Sequence, residues 1–346
     1  MIKIFTKTEY LLPKDDRLFF PLLVELFLDK NPDVLKQYCL VDSIEACDVL
    51  VLPLSINYCL ENKKSELVDY FKAKAKEYNK YLWVYSPGDM GLTLNDKKVL
   101  VFRMSDYKSF KNSSTVIMPA FFRNPYPAIY NNQPIEYHSK TIKPIVGYVG
   151  HAKGGFVKFV TTFVNYMKVN LDIFLKKQQS DYFRYYHSSL ERLKWLKKIA
   201  ANKNIETHFI YRNKYRAGAK TQEEKNKTTL EFFDNLKNSH YIFCMRGGGN
   251  FSVRLYETLA FGRIPIFIDT DCILPLKQTI DWSKHCLIIK ENEILKVTSK
   301  ILNFHNSLNE EQFLEMQKSN YLLREKYLTR SGFFIHFHDV FIIDNL

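Results

Sequence analysis

Long apolar runs are missing from this chain. Stretches such as Val49 to Leu54 and Ile264 to Ile268 have strand length, well short of the ~20 residues that a helix needs to cross a bilayer. The opening MIKIFTKTEY carries no signal-peptide core and reads directly as a first strand. Cysteine is sparse and scattered: Cys39, Cys47 and Cys59 in the first half, Cys244, Cys272 and Cys286 in the second. No CxxC and no Cys/His ligand spacing is present, which argues against a zinc ribbon or a disulfide scaffold and predicts free thiols in a reducing cytoplasm, with no structural metal. The Walker pattern GxxxxGK[ST] and the dinucleotide fingerprint GxGxxG are both absent, as are repeats and low-complexity segments.

What is present fits two α/β domains. The 346 residues exceed the size at which a single core usually stops growing, and a hydrophobic content of 46% with 15% aromatics supplies two cores. Strands are predicted at 2–5, 49–54, 81–85 and 99–102, with helices at 17–28 and 63–78. Residues 124–143, with Pro125, Pro127 and Pro134 and little apolar periodicity, read as a linker. A second series follows, with strands at 145–149, 208–211, 241–244 and 264–268 and helices at 157–176, 188–200 and 228–238. The expected units are 1–143, a Rossmann-like domain; 144–320, a second one; and 321–346, a helical segment that packs back on the first. Two βαβ series joined by a linker suggest two Rossmann-like domains facing one cleft.

The densest signal is YIFCMRGGGNFSVRLYETLAFGRIPIFIDTDCILP, Tyr241 to Pro275. A strand runs into Arg246, Gly247, Gly248, Gly249 and Asn250, and a helical pattern then opens at Ser252. That helix carries Arg254 and Glu257, and another strand follows Gly262. Such a unit presents backbone N–H groups and a helix N-terminus to a phosphate. Glycine permits close backbone approach, and Arg246 and Arg254 can pair with a diphosphate in fork geometry. Glu257, about one turn into the helix, can accept hydrogen bonds from ribose hydroxyls.

The ordered set Arg246-Gly247, Ser252-Val253-Arg254, Glu257, Gly262-Arg263-Ile264-Pro265, Leu274-Pro275 and Asp281-Trp282 resembles the exostosin family of glycosyltransferases. The resemblance is strongest from Lys143 to Trp282. Ser86-Pro87-Gly88-Asp89 and Phe122-Arg123-Asn124-Pro125 look like family landmarks in the first half. What the resemblance implies is the GT-B glycosyltransferase fold, with the donor nucleotide on the second domain and inversion at the anomeric carbon. The two glutamates that retaining enzymes of this fold often carry with seven residues between them are missing, since Gly249 stands where the partner of Glu257 belongs. The relatives in animals and plants are usually anchored Golgi proteins. A chain without such an anchor points to a cytoplasmic enzyme of bacterial or viral surface polysaccharide synthesis, and so to a glycan or lipid-linked glycan acceptor.

Glycosyl transfer needs cations and N–H groups to stabilise the leaving diphosphate when no metal does so. Arg246, the amides of 247–250 and the Ser252 helix are the first candidates. Arg212 is a second cation. Gly150 and His151, at the end of the strand opening the second series, should approach the same phosphates. Asp271, past a strand end, can reach sugar hydroxyls, and Phe251 can pack near the base or in the core. A base from the first domain must take the acceptor proton, with Asp89 and Glu9 as the candidates.

Charge is uneven. Residues 151–230 hold 17 Lys+Arg against 6 Asp+Glu, an excess of eleven in a chain whose net charge is +13. Ser188 to Ala200 reads as a basic amphipathic helix with capping-box spacing between Ser188 and Glu191. It either packs on a sheet or touches phospholipid headgroups at the inner face of the membrane. Three other readings stay open: a fucosyltransferase-like enzyme of the same fold using a GDP-sugar, a phosphate-binding protein without catalysis, and a nucleic-acid binder with steep salt dependence.

Overall fold

A computed structural model describes residues 1–11, 16–110, 113–182 and 184–345. The chain builds two all-parallel sheets in succession. The first holds β1 (Ile2–Phe5), β2 (Tyr38–Leu40), β3 (Val49–Val51), β4 (Tyr81–Tyr85), β5 (Val99–Arg103) and β6 (Thr115–Ile117), in the order β2-β1-β3-β4-β5-β6. The second holds β7 (Ile145–His151), β8 (Glu206–Arg212), β9 (Tyr241–Cys244), β10 (Ile264–Asp269) and β11 (Leu287–Lys290), in the order β11-β10-β9-β7-β8. Central strands such as β3, β5 and β9 are buried along their whole length, the continuous apolar signature of parallel strands covered on both faces. The helices used below are α1 (Ser65–Glu77), α2 (Phe156–Phe174), α3 (Ser188–Ala200), α4 (Gln222–Lys237), α5 (Val253–Ala260), α6 (Val297–Ser307), α7 (Glu310–Tyr327) and α8 (Arg330–Asn345).

Several local expectations change. The strand predicted at 49–54 stops at Val51, because the chain turns at Pro53 and Leu54 to meet Phe19 and Phe20. The helix predicted at 17–28 is broken. A short 3-10 turn covers Asp16–Leu18, and helix starts afresh at Pro21, which has no N–H to leave unpaired, and relaxes into a π-turn over Val24–Leu28. The cap of α3 is His187, whose Nδ1 accepts from Leu190 N at 3.1 Å, rather than Ser188. Trp195, Leu196 and Ile199 of α3 are buried in the core of the second sheet, so this basic helix is a packing element with Lys194, Lys197 and Lys198 left outside. The helix predicted from 228 starts at Gln222, where Thr221 and Glu224 form a capping box.

The linker is fastened. Tyr126 packs edge-on against Phe261 at 5.1 Å, and Glu136 O accepts from the buried Arg263 Nη2 at 2.8 Å. The boundary expected between 320 and 321 falls inside α7. This helix lies on α5 and β10; it buries Gln317 and Asn320 with partners in the linker and second domain, and Arg324 with Phe122 O just before the linker. Helix α8 then crosses to the first sheet. There Phe337 and Phe341 pack on Trp83 at 5.4 and 5.0 Å, Tyr38 Oη donates to Phe334 O, and Arg330 pairs with Glu25 and Asp29.

Candidate active site

The order of the second sheet creates a topological switch between β7 and β9. From β7 the chain moves to β8 on one side, and from β9 to β10 on the other, so the loops after β7 and β9 part and leave a crevice at the carboxyl ends of the strands. Arg192 of α3 stitches the two loops together, with Nη1 donating to His151 O at 2.9 Å and Nη2 to Arg246 O at 3.1 Å. Arg254, at the start of α5, donates from Nη2 to Val149 O at 2.7 Å and stacks over Tyr148 at 4.4 Å. Ser189 Oγ both accepts from Lys153 N and donates to Lys153 O, tying the Gly150–Gly155 loop to α3.

Arg246 is 4% exposed and aims into the interdomain cleft. Its Nη1 donates to Tyr107 Oη at 3.0 Å and Nη2 to Gly248 O at 2.8 Å, and the guanidinium lies 4.5 Å over the Tyr186 ring. Its Nε has no hydrogen-bond partner among the described residues. The cleft cavity measures about 620 Å³, and its lining includes Asp89, Arg103, Asp106, Tyr107, Arg184 and Arg246.

The glycines answer to the opposite domain. A Cβ on Gly248 would come 2.4 Å from Asp89 Oδ2, and one on Gly249 would meet Asp89 O and the Phe251 ring at 2.6 Å. Neither has a positive φ, so bulk and not backbone conformation excludes a side chain there. Phe251, half-buried, packs against this loop. Asp89 is therefore in contact range of the glycine loop across the cleft.

Asn250, 1% exposed, clasps the domains. Its N–H donates to Ser105 Oγ, its Nδ2 to Asp106 O and to Asp271 O, and its Oδ1 accepts from Thr270. Asp271, at φ +66°, accepts from Ser109 Oγ at 2.6 Å, and Lys108 pairs with Asp269 at 2.6 Å. The carboxylate expected on sugar hydroxyls is thus already engaged in docking the 108–110 turn. Asp181, in the connection from α2 to α3, closes another seam by pairing with Arg103 at 2.7 Å and accepting from Thr93.

The other expected residues are less uniform. Ser252 caps α5 with its hydroxyl unused by the helix. Glu257 is half-buried; burial pushes its carboxyl up, and Arg254 beside it pulls the other way. His151 lines a smaller cavity of about 260 Å³ that also reaches Gly248, and burial with Lys158 and Arg192 nearby holds its imidazole below the usual value. Arg212 does not line the cleft: its Nη2 is held by Thr228 O and Glu231 on α4. Glu9, in the 3-10 turn Thr8–Tyr10, is exposed and also absent from the cleft lining. Asp106, Arg184 and Arg192 were missed from the sequence. Asp106 stands just past the end of β5, where ligand loops collect, and that position was the available signal. Among the described residues, no group of three or more His, Cys, Asp or Glu is placed to hold a metal, and the six cysteines are free.

Two parallel Rossmann-like domains facing a cleft, with a glycine loop and helix N-terminus at the switch point of the second, define the GT-B class. Within it, the chain belongs to the exostosin GT47 family, whose model, described as "Exostosin GT47 domain", matches residues 26–304. The chain is similar to "Probable glucuronosyltransferase 47 A" of Physcomitrium patens, 30% identical over 87 residues, 25% of this chain and 18% of that protein. It is also similar to "Exostosin-1 homolog" of Caenorhabditis elegans, 32% identical over 73 residues, 21% of this chain and 19% of that protein. The matches thus span under a fifth of the length of these curated relatives. Among solved structures, it is similar to a glycosyltransferase from Rickettsia africae, with a TM-score of 0.39 and 12% identity, covering 87% of this chain and 78% of that one.

Proposed function

We propose that the chain is a glycosyltransferase that moves a sugar from a nucleoside diphosphate, with UDP-sugar first among the donors, to a hydroxyl of a glycan acceptor. The observation that carries this reading is Arg246, buried beside the glycine loop at the switch point, in a cleft cavity of about 620 Å³ that Asp89 of the first domain also lines. That volume suits a nucleotide-sized ligand.

In this reading the diphosphate lies against Arg246, the amides of Gly248 and Gly249 and the N-terminus of α5, which together take up its charge without a metal; the Gly247 and Asn250 amides are already bonded, to Phe251 O and Ser105 Oγ. Glu257 receives the ribose hydroxyls. Gly150 and His151 border the phosphates from the β7 side, with His151 as a neutral hydrogen-bonding ring. Asp89 takes the acceptor proton as the acceptor oxygen attacks the anomeric carbon. The bond to the diphosphate breaks on the opposite face, and one such displacement inverts the centre. Glucuronosyl transfer, named for the moss relative, is the first sugar to test. The acceptor belongs to surface polysaccharide or glycoconjugate synthesis, and the reaction takes place in the cytoplasm at the inner face of the membrane.

The test is calorimetric titration of UDP, GDP, CMP and their sugar conjugates, in EDTA, into the wild type and Arg246→Ala. Selective binding of one nucleoside diphosphate that the substitution abolishes supports the reading. Preference for GDP moves it to the fucosyltransferase-like alternative. Binding to none overturns it.

A further inference from the structure

Helix α2 is nineteen residues long, and none of them is buried. Its inner face, with Lys158, Thr162, Tyr166 and Val169, closes the smaller cavity over His151 and Tyr186. Its outer face carries Phe156, Val160, Val164, Met167, Leu171 and Phe174 at intervals of three and four residues, all standing in solvent. Phe156 is 81% exposed, Phe174 70%, Leu171 55% and Met167 54%. One contiguous stripe of this size marks an interaction surface and not scattered exposure.

We propose that α2 lies in the plane of an anionic lipid surface, with this stripe among the acyl chains. Charge selects the occupant. Residues 153–177 hold five lysines, Lys153, Lys158, Lys168, Lys176 and Lys177, against the single acid Asp172, and Lys197 of α3 stands beside Lys153 at the start of α2. Apart from Lys158, which faces the smaller cavity, these lysines are exposed around the stripe. Anionic headgroups complement this rim, whereas a second copy of the chain would bring the same cations together. Nineteen residues at about 1.5 Å each make a helix about 28 Å long. Among the described residues, no helix is long and apolar enough to cross a membrane, so α2 rests on the surface. The placement extends the membrane part of the proposed function and moves it from α3, whose apolar side is buried, to α2. It sets the roof of the smaller cavity, next to Gly248, against the bilayer from which a lipid-linked acceptor would arrive.

The experiment is co-sedimentation of the full chain with vesicles of phosphatidylcholine alone and of phosphatidylcholine mixed with phosphatidylglycerol. The variants are Phe156→Ser/Met167→Ser/Phe174→Ser and Lys168→Glu/Lys176→Glu/Lys177→Glu, with nucleotide titration and light scattering on each protein. The expected result is binding to the anionic vesicles, weakened by salt and reduced at least about tenfold by either variant, with nucleotide binding unchanged. Equal binding to neutral vesicles, no vesicle binding, or a dimer that the serine variant dissociates would each overturn the proposal. Nucleotide titration reports the donor site separately, so the two readings can fail independently.

Discussion

At the carboxyl end of the first sheet, the loops after β4 and β5 offer Asp89 and Asp106. At the carboxyl end of the second, the loop after β9 offers Arg246, two sterically required glycines and the N-terminus of α5. The two sheets are built by the same parallel βαβ logic, yet the chemistry they present to the shared cleft is opposite in sign. An acidic wall suits a hydroxyl that must lose a proton, and a cationic wall rich in N–H groups suits a diphosphate that must leave. The glycine loop also holds the domains together, because Asn250 within it bonds to Ser105 Oγ and Asp106 O. Donor loop and domain seam are one structure.

The sharpest way to break this comparison is on the acidic wall. Asp89→Asn should lower turnover by about 10²- to 10⁴-fold, the range for loss of a general base, with donor affinity kept. Glu9→Gln should leave both unchanged. If Asp106→Asn and not Asp89→Asn abolishes turnover in steady-state kinetics, the base belongs to the loop after β5. On the cationic wall, Arg246→Ala should weaken nucleoside diphosphate binding by about 100-fold, as expected for charge-assisted hydrogen bonds in a closed site, read by calorimetry. Arg212→Ala should change it little, because that guanidinium already pairs with Glu231.

At the seam, Asn250→Ala removes the side-chain donors to Asp106 O and Asp271 O and strands Thr270 Oγ. A loss of about 1–3 kcal/mol in denaturant unfolding is expected. The mildest effect lies far from the cleft. Burial, with His138 and His305 close by, pushes the His240 imidazole down to about 3. The unfolded chain then binds more protons than the folded one between the ordinary value of 6.5 and about 3, so stability falls as pH drops through that window. Between pH 6.5 and 5 the contribution is on the order of 2 kcal/mol, and His240→Asn should flatten the dependence of melting temperature on pH.

The long apolar strands and helices with clear periodicity were legible: β4, β7, β9, β10, α1 and α3 stand within a few residues of their expected places. β2, β6 and β11 were not, since three or four residues leave no period to read. The glycine loop was legible as a loop, but the packing of Asp89 against it was not. A ligand was expected to need the close approach, and the fold adds a second demand, because Asp89 of the other domain comes against Gly248 and Gly249. The α2 pattern was read as an ordinary helix, because periodicity identifies an apolar stripe without saying whether it turns inward or out.

By itself, the sequence determined two parallel α/β units, a strand–glycine–helix loop in the second, and a cationic excess in the middle of the chain. These are local properties, set by side-chain period, backbone freedom and charge count. Only the tertiary structure decided which charges meet the cleft. Arg212 and Arg246 are equally cationic on paper, but Arg212 ends β8, the edge strand, beside Glu231, and Arg246 follows β9 at the switch point. Strand order is a long-range property of how the chain returns on itself, and it alone separates a neutralised arginine from one available to a ligand.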